Sequence, residues 1–153
     1  MLEGPYLSTV SATIQAAIAP VFLLAGIGAF LNVMVGRLAR IVDRARQIEQ
    51  LHPRSTGPEH DRHVWELRLI DRRISVINTA IFLCVSSALA ICLVVALLFV
   101  SRLGNLHVGA IVAVAFILSM LLLMIGLVYF LIEVRMSLKA VHVRKELLEL
   151  DPK

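Results

Sequence analysis

A chain of 153 residues that is 59% hydrophobic and only 17% charged, with a mean hydropathy of +0.86, is too apolar to be an ordinary soluble domain. Its net charge of +4 does not mark a nucleic-acid binder. Six acids (Asp43, Glu49, Glu59, Asp61, Glu66, Asp71) are interleaved with nine arginines between Arg37 and Arg73, the pattern of a solvated, self-paired surface.

Gly4–Gly36, Ile74–Ser101 and Leu103–Ile132 contain no Asp, Glu, Lys or Arg; together they hold 91 of the 153 residues. A helix needs about 20 apolar residues to cross a hydrocarbon core of roughly 30 Å. The predicted fold class is therefore all-α and integral to a membrane. Three transmembrane helices are expected, prolonged as long helices into a cytoplasmic helical stalk.

Residues 1–10 are expected to form an N-terminal tail outside the membrane. Met1-Leu2-Glu3-Gly4-Pro5 lacks the basic start of a secretory signal, so the first apolar segment is expected to be retained. The first span is placed at 11–36. Pro20 frees a backbone carbonyl inside it, a site for a kink that serves packing or, alternatively, a gate. Gly28, Asn32 and Gly36, spaced by four, form a small–polar–small stripe along which another helix can approach closely.

Residues 37–73 read as a cytoplasmic helical hairpin with a loop at 52–61. Apolar residues recur at helical spacing through Leu38, Ile41, Val42, Ala45, Ile48 and Leu51. Pro53, Gly57 and Pro58 then break the pattern, and a second stripe returns through Val64, Leu67, Ile70, Ile74 and Ile77. Depth from the apolar boundary predicts two ion pairs across this hairpin, Arg44–Glu66 and Arg40–Asp71. Arg37 and Arg73 are the first charges beyond their spans. His52, His60 and His63 with Glu59 and Asp61 flank the loop, but no cysteine supports them, so no metal site is expected.

The second span is placed at 74–100. Ser75, Asn78, Thr79, Phe82 and Ser86 form one polar stripe on its inner half. Asn78 lies five residues inside Arg73, as Asn32 lies five inside Arg37. The two amides are expected to bond each other across the helix pair; the alternative is that they line an oligomeric pore. Cys84 and Cys92 are read as inert residues of this span. A short outer turn follows at 101–107, then a third span at 108–132. In it Ser119, Gly126 and Glu133 fall at heptad spacing, and Glu133 is placed to pair with Arg37 or Arg73. Residues 133–153 are expected to continue as a cytoplasmic C-terminal helix.

Basic residues set the orientation. Nine lie in 37–73 and five follow Ile132, whereas the N-terminal flank has none and the outer turn has only Arg102. Lys and Arg gather on cytoplasmic flanks, so the N-terminus is expected outside and the C-terminus inside. The basic inner surface is suited to anionic lipids.

The run Pro20-Val21-Phe22-Leu23-Leu24-Ala25-Gly26-Ile27-Gly28, then Leu31-Asn32-Val33, is distinctive. So are Arg37-Leu38-Ala39-Arg40-Ile41-Val42-Asp43-Arg44-Ala45-Arg46 and the closing Ile132-Glu133-Val134-Arg135-Met136-Ser137-Leu138-Lys139-Ala140. Over nearly the whole chain this resembles the DUF2721 family of small bacterial membrane proteins. The resemblance implies a bacterial inner-membrane location and carries no activity with it.

The sequence offers no phosphate loop, hydrolase elbow or paired intramembrane carboxylates. No enzyme, catalytic residue, cofactor or metal is expected. The expectation is a homo-oligomeric assembly, accessory or sensing module that presents its helical stalk to an unspecified partner. The alternative is a small homo-oligomeric channel lined by the span-two stripe or by Asn32.

Overall fold

The computed structural model describes the backbone of residues 4–51, 57–103 and 109–142, and side chains at 14–15, 17–50, 57, 60, 63–101 and 109–138. Among these residues the chain forms three α-helices and no strand: α1 (Gly4–Leu51), α2 (Pro58–Leu103) and α3 (Gly109–His142). Each contains a stretch long and apolar enough to cross a membrane: Ala17–Gln50, His63–Ser101 and Gly109–Leu138.

The helix ends follow the local chemistry. Residues 4–10, expected as a tail, are already helical. The expected loop at 52–61 gives way to helix at Pro58, because proline has no N–H to lose and its φ already suits a first helical turn. Gly57 just before it holds φ at +70°, where a side chain would be strained. The His60 N–H donates to the Gly57 carbonyl at 3.0 Å, closing that turn. At the other end α2 runs on to Leu103, into the expected outer turn. The expected C-terminal helix is helical to His142; the rest of that expectation lies outside the described residues. Pro20 is buried within an uninterrupted α1.

All three helices contribute to each of two compact units. One comprises Met1–Val33 with Phe82–Ile125, the other Met34–Ile81 with Gly126–Lys153. The core of the first unit is drawn from Ala17, Pro20 and Ile27 of α1, Cys84, Ser87, Ile91 and Val94 of α2, and Val112 and Ser119 of α3. The core of the second is drawn from Met34, Ile41 and Ile48 of α1, Ile70, Ile77 and Ala80 of α2, and Gly126 and Glu133 of α3. Burial recurs every seven residues: 20, 27, 34, 41 and 48 on α1; 70, 77, 84 and 91 on α2; 112, 119, 126 and 133 on α3. Seven-residue recurrence is the signature of knobs-into-holes helix packing.

The two cores differ in what holds them. Ile41, Ile48 and Ile70 form a hydrophobic cluster in the second unit, flanked by Ala45, Leu67 and Ile74. The first unit sets the small and weakly polar Cys84, Ser87 and Ser119 among Ile27, Ile91, Val94 and Val112. Lipid tails are as apolar as leucine, so close packing and interhelical hydrogen bonds, not removal of apolar surface, hold helices together there. Phe22, Phe82, Leu89 and Ile111 all lie outward and exposed. So wide an apolar surface requires a partner other than water.

Candidate functional site

The charged residues that end the apolar runs at one side are Arg37, Arg73 and Glu133, one from each helix. They meet in the second unit. Glu133 is completely buried, with side-chain exposure of 0%, against 25% for Arg37 and 19% for Arg73. The Arg37 Nε donates to Glu133 Oε2 at 2.9 Å, and the same guanidinium brings a terminal nitrogen to 2.9 Å from that oxygen. Arg73 donates from a terminal nitrogen to Glu133 Oε1 at 3.0 Å. One anion thus bridges two cations. A fully buried carboxylate is tolerable only with such compensation, because desolvation costs several kcal/mol per ion.

Ser137, one turn beyond Glu133 on α3, completes the cluster. Its Oγ donates to Glu133 Oε1 at 2.8 Å and accepts from Arg37 at 3.0 Å and from Arg73. One hydroxyl donates once and accepts twice, so this serine has its full complement. The Arg37 guanidinium also lies 5.8 Å from the centroid of the Phe130 ring, within cation–π range. Arg73 Nε, by contrast, is buried without a hydrogen-bond partner. Two arginines on one glutamate leave the cluster with excess positive charge.

Farther along the hairpin, Arg44 reaches Glu66 through Nε at 3.1 Å and a terminal nitrogen at 2.8 Å, both onto Oε1. This is the pair that depth predicted. The other, Arg40–Asp71, is not formed among the described residues, and both partners are exposed. Depth was matched but rotation was not. Ile70, Ile74 and Ile77 turn toward the core, which carries Asp71 about 100° round α2 from Ile70.

The two amides expected to pair are both exposed: Asn32 in the first unit and Asn78 in the second. Neither makes a hydrogen bond among the described residues. Ser75 is exposed as well, and its carbonyl accepts from Thr79 Oγ1 at 2.9 Å. Thr79 and Ser86 are half-buried, whereas Gly28 and Gly36 are exposed, with open space where a Cβ would stand. Ser75, Asn78, Phe82 and the glycines thus lie outward, while Thr79 and Ser86 turn partly toward the neighbouring helices.

Two further serines contribute. Ser137 lay in an expected soluble helix where a serine signals little. Ser87, next to the stripe residue Ser86, is the buried one: its Oγ donates to the Ser119 carbonyl at 2.8 Å, and Ser119 Oγ donates to the Phe116 carbonyl at 2.7 Å. His52 and the side chains of Glu59 and Asp61 lie outside the described residues. Among those described, no group of three potential metal ligands occurs. Cys84 and Cys92 are both free, the first buried and the second exposed.

Three long apolar helices with buried charge at one end of their apolar runs are the features of a multi-pass membrane protein. The chain belongs to the DUF2721 family, described as proteins of unknown function, whose model matches residues 17–143. Comparison with curated proteins gives no match, and neither does comparison with solved structures.

Proposed function

We propose that this protein is a homo-oligomeric assembly or sensing module of the bacterial inner membrane. In this reading the N-terminus lies outside, the C-terminus inside, and α1 and α2 carry the Arg44–Glu66 hairpin into the cytoplasm as a stalk for a protein partner. The reading assigns it no catalytic step. The observation that carries it is the exposure of Asn32 and Asn78 within apolar helices. An amide facing hydrocarbon lacks water and must find a partner, and interhelical hydrogen bonds contribute about 0.6–2 kcal/mol each. A second copy of the chain supplies such partners, and the exposed Gly28 and Gly36 allow its helix to approach closely.

The test is the size of the purified protein in mild detergent, with crosslinking through a cysteine placed one turn along the same face, at Val35 or Phe82, after Cys84 and Cys92 are removed. A multimer that crosslinks at these positions and dissociates in N32L and N78L is the expected result. A monomer that fails to crosslink overturns the reading. The exposed Ser75 and Asn78 favour a second reading, an oligomeric channel lined by this face. Ion flux into liposomes that is lost in N78L would select it, and tight vesicles at high protein content would dismiss it.

A further inference from the structure

Arg37, Arg40, Ile41, Arg44, Ile70, Arg73 and Ser137 line an open pocket of about 290 Å³ in the second unit. Four of its seven lining residues are arginines. Glu133 serves Arg37 and Arg73, and Glu66 serves Arg44, so three of the four guanidiniums share two carboxylates. Arg40 has no ion pair among the described residues. The lining is therefore cationic, Ser137 has no acceptor capacity left to offset it, and an anion is its natural complement.

We propose that this pocket is a phosphate-binding site, filled in the membrane by the headgroup of an anionic phospholipid. A phosphate brings negative charge and several acceptor oxygens, and arginine forks match its geometry. The pocket is open on one side, so a headgroup phosphate can enter it while the acyl chains stay outside. Place along the chain agrees: Arg37 and Arg73 directly adjoin the uncharged runs, at the level where lipid phosphates lie. The inference rests on the preceding section only for the membrane and the cytoplasmic side of the hairpin; it is independent of oligomeric state.

The full chain, purified and stripped of lipid, would be titrated with phosphatidylglycerol, with phosphatidylcholine and with inorganic phosphate, and bound species counted by native mass spectrometry. R40Q is the informative variant, since Arg40 lines the pocket and holds no other group in place. R46Q is the control, an exposed arginine on the same helix that does not line it. The expected result is selective retention of phosphatidylglycerol, weakened about fivefold in R40Q and unchanged in R46Q. Phosphate binding with the same dependence on Arg40, and no lipid selectivity, would keep the site and assign it to a soluble phosphate. Equal effects of R40Q and R46Q, or no binding of either ligand, would overturn the proposal. The same spectra report stoichiometry, so a monomer that still retains phosphatidylglycerol would defeat the assembly reading and leave this one standing.

Discussion

Replacing Glu133 by glutamine keeps the side-chain shape and removes the one negative charge between Arg37 and Arg73. The amide offers a single acceptor oxygen where the carboxylate receives both arginines and Ser137. Two guanidiniums then face each other without an anion. Breaking a buried ion pair by removing one partner costs about 3–5 kcal/mol. Arg37 and Arg73 keep 25% and 19% exposure and recover some hydration, so E133Q is expected near the lower end, about 3 kcal/mol. R37M should cost less, because Arg73 still neutralises Glu133 and the repulsion between the arginines disappears. Unfolding with sodium dodecyl sulfate in mixed micelles, followed by the fluorescence of the single tryptophan, Trp65, measures both. An E133Q protein within about 0.5 kcal/mol of the parent, or an R37M protein less stable than E133Q, would refute the view that this carboxylate holds the cluster together.

S87A removes the buried donor to the Ser119 carbonyl, and the same titration should show a loss of about 1 kcal/mol; a loss below about 0.2 kcal/mol would show that the bond adds nothing. C84L, which forces a larger side chain into the buried face of α2, should cost about 1–3 kcal/mol in the same titration, whereas C92L on the exposed face should cost less than about 0.5 kcal/mol. Equal losses would contradict the packing assigned to α2.

What the sequence disclosed, and what it hid, follows from the surroundings of each helix. Charge-free length announced three spans without further information. In the hairpin, where polar and apolar residues alternate, periodicity marked Ile41, Ile48 and Ile70 as inward and depth alone matched Arg44 to Glu66. Within the spans the same method loses its contrast. Residues facing lipid are as apolar as residues facing a neighbouring helix, so Ile27 and Ile91 on the seam look no different from Ile18 and Leu93 off it. On α3 the small and polar residues were the better guide, and the spacing of Ser119, Gly126 and Glu133 did trace the buried face. That guide failed for Asn32 and Asn78, which are polar and outward. It failed for Arg40 and Asp71 because level does not determine which way a side chain turns.

The mixed parentage of the Arg37–Glu133–Arg73 knot bears on how the protein is made. Both cations leave the ribosome before their anion, so a nascent pair of helices must hold two like charges near each other with nothing between them. Only the last helix to be synthesised relieves that repulsion, which makes its arrival the event that locks the earlier two in place.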